Sequence, residues 1–157
     1  MSDKITVNKG TGAGGSQTTK NGFKLEDKLR NTISSNSESE EILHEKKSGK
    51  KMTKIVINGR VFTRAYETMF KFWSRTKEDK HISKLHGTKR PDDCLIDDKN
   101  KIIYWFEAKY QNTPGSKCEV LQTARSKIRN LKRRFSRNGY EVKYIYILGS
   151  FYREHTK

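Results

Sequence analysis

Cysteine and proline are scarce, two of each in 157 residues, and no apolar run exceeds five residues. Cys94 and Cys118 are isolated, with no CxxC pair and no zinc-ligand spacing to His44, His81, His86 or His155. That excludes a disulfide framework and a structural zinc site, and leaves both thiols as ordinary packing groups. Five apolar residues fall far short of the ~20 that span a bilayer. The opening "MSDKITVNKGTGAGG" lacks the apolar core of a signal peptide, so the expected location is the cytoplasm, with no membrane association. Acidic residues are the third shortage: 18 Asp and Glu face 34 Lys and Arg, for a net charge of +16 and a pI near 9.9. A surplus of that size points to a polyanionic partner, with nucleic acid ahead of an anionic membrane surface.

Hydrophobic residues make up 32% and charged residues 33% of the chain, enough for one modest core. Residues 1–22, containing "GTGAGGSQTTKNG", lack core-forming side chains and suggest a flexible arm. No GK[ST] follows the glycines, which argues against a phosphate-binding loop. The domain proper is expected over 23–157. Phe23, Leu25, Leu29 and Ile33 suggest a first helix, with Asn21-Gly22 as its cap, and 34–51 reads as a polar, low-complexity insertion with a weak helical anchor at Ile42-Leu43. Asn58-Gly59 between "KIVI" and "RVF" predicts a tight hairpin over 54–63. Tyr66, Met69, Phe70 and Trp73 predict a helix from Arg64 to Arg75. Pro91 and the 97–100 cluster bracket a second pair of strands. Val120, Leu121, Ala124, Ile128, Leu131 and Phe135 predict a helix to Asn138-Gly139, and "YEVKYIYILGSF" predicts a last strand.

The stretch "IIYWFEAKYQ", 102–111, carries charge out of an apolar strand. Alternation places Ile103, Trp105, Glu107 and Lys109 on one face, so both charges project together at the strand's end. Antiparallel pairing through the 97–100 turn brings Asp92 near Glu107, although Asp93 is also at hand. Two carboxylates suit Mg²⁺, which takes few protein oxygens and fills its shell with water and phosphate. Such an ion acidifies water and stabilises charge on phosphorus, and Lys109 can hold the attacking water or the pentacovalent phosphate. Phosphodiester hydrolysis is the chemistry this combination suggests. The plainer alternative for Glu107 and Lys109 is a strand-end ion pair, worth about 0.2–1 kcal/mol. Asp93, Asp97 and Asp98 read as solvated turn residues.

The order Pro91-Asp92, then Glu107-Ala108-Lys109, resembles the PD-(D/E)xK nuclease superfamily, and Glu107 to Gln111 resembles the "ExKYQ" form of some type II restriction endonucleases. The likeness extends over about residues 10–150. It implies an α/β fold with a restriction-endonuclease-like core of helix, three-stranded meander, helix and strand, the mixed sheet flanked by helices. It favours Asp92 over Asp93 as the ligand beside Glu107. "SQTTKNGFKLE" is similar to the N-terminal segment of such enzymes, which implies that Glu26 joins the site. The implied activity is Mg²⁺-dependent cleavage of double-stranded DNA, with Mn²⁺ as a substitute ion, by a homodimer that supplies a site for each strand. Gln111 and Gln122 are accessory candidates. Lys117, Arg125, Arg129, Lys132 and Arg133 lie on a helix with few acids and suit phosphate contacts. A structure-selective nuclease of junction-resolvase or repair type and a catalytically inactive DNA-binding module are the competing expectations.

Overall fold

The computed structural model describes residues 15–76, 90–110 and 123–149, with side chains in the first helix described from Lys20 onward. Within these residues three helices and a six-stranded mixed sheet form an α/β fold. The order is α1 (Gly15–Ser35), β1 (Ser39–Glu45), β2 (Lys51–Ile57), β3 (Arg60–Ala65), α2 (Thr68–Thr76), β4 (Asp93–Asp97), β5 (Ile102–Lys109), α3 (Ala124–Ser136) and β6 (Glu141–Leu148). The strands lie side by side in chain order. All neighbours pair antiparallel except β5 and β6, which are parallel across the α3 connection. The sheet is thus larger than the expected three-stranded meander and single strand, and α2 interrupts it between β3 and β4.

Local chemistry accounts for most elements. Asn58 and Gly59 both have positive φ, 50° and 70°, the combination a type I′ turn demands, and the hairpin closes with Ile57 opposite Arg60. Asp97 organises the next turn by accepting from the Asn100 backbone N–H at 3.0 Å and from Asn100 Nδ2 at 2.8 Å. At the end of α3, Gly139 has φ 75°; its N–H reaches Ser136 O, and Tyr140 N–H reaches Phe135 O, the paired bonds of a Schellman stop.

Three boundaries differ from expectation. Helix α1 begins at Gly15, inside the segment read as an arm, and Asn21-Gly22 lies within it. Once Leu29 and Ile33 are buried, each further turn gains backbone hydrogen bonds that outweigh the ~1 kcal/mol cost of an interior glycine. Helix α2 starts at Thr68, because Arg64 and Ala65 remain in β3. In the polar insertion a strand, β1, replaces the weak helix: six of its seven residues are exposed, and it is held by backbone pairing to β2 and by His44 stacked on Phe72 at 4.1 Å. Its charged side chains suit an edge strand.

The sheet is covered on both faces. Met69, Phe70 and Trp73 of α2 and Leu131 and Phe135 of α3 pack on Cys94, Ile96, Ile103, Trp105 and Val142. Phe70 is central, edge-on to Trp105 at 5.0 Å and to Phe135 at 5.6 Å. On the other face Leu29 and Ile33 of α1 pack with Ile55, Phe62 and Leu95. Among the described residues no helix is long and apolar enough to cross a membrane.

Candidate active site

Strands β4 and β5 run antiparallel, so the start of one lies beside the end of the other. Asp93 pairs with Phe106, and the Asp92 N–H donates to Phe106 O at 3.1 Å, which carries the ladder one residue further and sets Asp92 across from Glu107. The Asp92 carboxylate is fixed by the Ala108 N–H, 2.7 Å from its Oδ2. Lys109 Nζ lies 2.5 Å from Glu107 Oε1, and the two side chains are only 23% and 12% exposed. Ile103 and Trp105 belong to the core under α2 and α3, so alternation puts Glu107 and Lys109 on that same face. Helix α1 brings Glu26 close enough for its carboxyl to feel the charges of Asp92 and Lys109. Asp92, Glu107, Lys109 and Glu26 therefore converge on one end of the sheet.

Their electrostatics are unbalanced toward negative charge. Burial raises the Asp92 pKa and the neighbouring Glu107 carboxylate raises it further, against the opposing pull of the Ala108 N–H, Lys109 and Arg30. Burial also raises Glu26; Asp92 and Glu67 add to that, while Arg30 and Lys109 oppose it. The half-buried Tyr144 and Tyr146 on β6 lie next to this cluster, with their hydroxyl oxygens buried and Tyr144 beside both Tyr146 and Glu107. Burial and then the Glu107 charge push the Tyr144 hydroxyl well above its ordinary value. A carboxylate pair that raises its neighbours' affinity for protons is one that a divalent cation would relieve.

Asp93 and Asp97 are buried, and Asp98, in the turn, is half-buried. Asp93 is fully buried, and Arg64 Nη2 and Nε reach its Oδ2 at 2.6 and 3.1 Å, while the Cys94 N–H donates to Oδ1 at 2.8 Å. Its neutralised position on the α1 face leaves Asp92 as the aspartate beside Glu107. Asp97 pairs with Arg60 at 2.5 Å, and Asp98 accepts from the Tyr140 hydroxyl at 2.5 Å and from Thr63 Oγ1 at 3.3 Å. Asp98 does lie in the turn and Asp97 does shape it; the side-chain partners Arg64, Arg60 and Tyr140 are remote in sequence, which is why composition alone read Asp93 and Asp97 as solvated.

Two further charged residues frame the site. Arg30 Nη2 is 3.6 Å from Glu26 Oε2, 3.2 Å from Glu67 Oε1 and 3.5 Å from the Asp92 carbonyl oxygen. Glu67 has φ 47°, uncommon for a side chain of its size; its N–H donates to Pro91 O at 3.0 Å, and Lys50 and Arg30 both pair with its carboxylate. That hydrogen bond ties the start of α2 to the Pro91-Asp92 segment. The four-residue spacing of Glu26 and Arg30 on a helix was a readable signal. Glu67 offered none.

Among the described residues no three His, Cys, Asp or Glu side chains form a ready metal cage. The donor chemistry nonetheless fits Mg²⁺, which is held by one or two carboxylates with water and phosphate completing its shell. Asp92 and Glu107 would be the ligands, with Glu26 near. On α3, Arg125, Arg129, Lys132 and Arg133 line a shallow open depression with Ile128 and Ser136, a basic surface on a helix that packs on the Glu107 face. Gln111, Lys117 and Gln122 lie outside the described residues. No family model matches this chain, and no curated protein or solved structure shows significant similarity to it.

Proposed function

We propose that this chain is a Mg²⁺-dependent endodeoxyribonuclease of the PD-(D/E)xK kind, hydrolysing phosphodiester bonds of double-stranded DNA as a type II restriction endonuclease does. The convergence of Asp92, Glu107 and Lys109 at one sheet end carries this reading. A bound Mg²⁺ would supply a more acidic water and offset charge on the phosphate. Asp92 and Glu107 hold that ion, oriented by the Ala108 N–H and by Lys109 respectively. Among the described residues Lys109 is the one ammonium paired within this carboxylate set; it orients the attacking water or donates to the pentacovalent phosphate, where charge develops. Glu26 assists from α1, and the basic residues of α3 hold the DNA backbone. A homodimer gives each strand its own site.

The test is incubation of plasmid and of branched DNA with the purified chain and Mg²⁺. Discrete plasmid fragments support the restriction reading, whereas cleavage confined to branched DNA shifts it to a structure-selective nuclease. Glu107→Ala and Lys109→Ala should each lower the cleavage rate by about 10²-fold or more, the scale of losing one transition-state stabiliser, with DNA affinity retained. Salt-sensitive binding without turnover on either substrate would refute the proposal and leave a DNA-binding module.

A further inference from the structure

Arg30 is a cation built into the site from the protein side. It sits one turn after Glu26 on α1, with its side chain 25% exposed and its guanidinium over the Tyr66 ring at 5.0 Å. One end of the fork, Nη2, faces three oxygens: Glu26 Oε2 at 3.6 Å, Glu67 Oε1 at 3.2 Å and the Asp92 carbonyl at 3.5 Å. The other end, Nη1, is 3.6 Å from Asp27 Oδ1. Lys50 clamps Glu67 as well, so Glu67 is pinned by two cations and in turn limits where Arg30 can lie.

Carboxylate and carbonyl oxygens are the donors a hard divalent ion seeks. In two-metal phosphodiesterases the second ion lies about 3.5–4 Å from the first and shares its carboxylates. Here the oxygens on the α1 side of Asp92 already face a guanidinium that stays charged at any working pH. We propose that Arg30 takes the place of a second divalent ion, so that the site works with a single bound metal held by Asp92 and Glu107. This rests on the nuclease reading. The guanidinium offsets negative charge at Glu26 and Asp92, but it has no vacant coordination position and cannot acidify a water. Half of the second ion's charge is thereby supplied while its Lewis acidity is not, and water activation falls to the single metal and Lys109.

The test counts ions directly. Metal-free protein is titrated with Mn²⁺ while free Mn²⁺ is followed by electron paramagnetic resonance, and cleavage rate is measured against Mn²⁺ concentration in parallel. The wild type should bind a single equivalent, with a first-order metal dependence. Glu107→Gln should lose that equivalent. Arg30→Met should gain a second equivalent and a second-order dependence, and Arg30→Lys, which keeps the charge, should behave as the wild type. Two equivalents in the wild type overturn the proposal without need of any variant. A single equivalent in Arg30→Met that melts cooperatively overturns it as well. Absence of Mn²⁺ binding together with absence of cleavage in the wild type defeats the nuclease reading itself, an outcome distinct from two ions bound with cleavage intact.

Discussion

Removing Asp93 is the sharpest perturbation of the scaffold that positions the site. The Arg64–Asp93 pair is buried on both sides, with side-chain exposures of 6% and 0%, and is joined by contacts of 2.6, 3.1 and 3.3 Å. Arg64 also reaches Ser34 Oγ at 2.7 Å and Arg30 O at 3.1 Å, so the pair bolts α1 to β3 and β4. Asp93→Ala strands a guanidinium in the interior, a loss of about 3–5 kcal/mol for a broken buried pair. Set against a total stability of about 5–15 kcal/mol, that is a large share. At roughly 2–4 °C per kcal/mol for a domain of this size, the midpoint should fall by about 6–20 °C. Replacing both partners, Arg64→Met with Asp93→Leu, removes the uncompensated charge and should restore most of the loss. Circular dichroism melts and urea titrations of the three proteins measure it. A cost below about 1 kcal/mol for Asp93→Ala, the range of an exposed pair, would refute the reasoning, as would a double variant no better than the single one.

Three more outcomes follow from the same geometry. Alanine in place of Arg125, Arg129, Lys132 or Arg133 should flatten the plot of log binding constant against log salt by about 0.9 for each phosphate no longer neutralised, measured by fluorescence anisotropy on duplexes of differing sequence; an unchanged slope removes α3 from the DNA interface. Burial and Glu107 raise the Asp92 pKa above its unfolded value, so in the wild type the contribution of Asp92 to stability is present at low pH and lost as pH rises through the raised value. In chelator at neutral pH, Asp92→Asn should therefore melt higher than the wild type, with the gain shrinking as the pH falls far enough to protonate Asp92; a lower melting point at neutral pH would contradict this. Asp97 has the opposite sign: hydrogen bonds from Asn100 and from Arg60 hold its carboxyl down at about 2, so its stabilisation is present above its ordinary value near 3.8 and lost as pH falls toward 2. Asp97→Asn should lose less stability than the wild type between pH 4 and 2 in acid melts.

Legibility in the sequence followed the range of the interactions involved. The hairpin at Asn58-Gly59 and the stop at Gly139 are set by one or two residues whose backbone angles admit few alternatives, and both were readable. The facing of Asp92 and Glu107 needed only strand alternation and a turn position, and it too was readable. The edge strand β1 was not, because what holds it is the open edge of β2 and not its own composition. The burial of Asp93 and Asp97 was missed for a related reason: Arg64 lies 29 residues from Asp93, and Arg60 lies 37 from Asp97. A charge whose partner arrives only with the tertiary fold looks solvated in a linear chain.

Asp92 and Asp93 show how one fold sets neighbouring carboxylates to different tasks. Consecutive residues at a strand's start point to opposite faces. Asp93 meets a guanidinium that matches its two oxygens, and with Ser34 and the Arg30 carbonyl engaged as well, that charge is closed off from ligands. Asp92 meets a backbone N–H, a second carboxylate and a lysine already paired with that carboxylate. Rigidity and unbalanced charge are thus assigned to adjacent positions: the compensated aspartate holds α1 against the sheet, and α1 in turn holds Glu26 and Arg30 beside the uncompensated one. Relaxing the buried pair should consequently loosen the approach of Glu26 to Asp92 even where the fold survives. If the proposed nuclease function holds, the cleavage rate of Asp93→Asn should therefore fall further than the loss of folded protein accounts for, since the geometry of the site depends on a charge that does not itself line it.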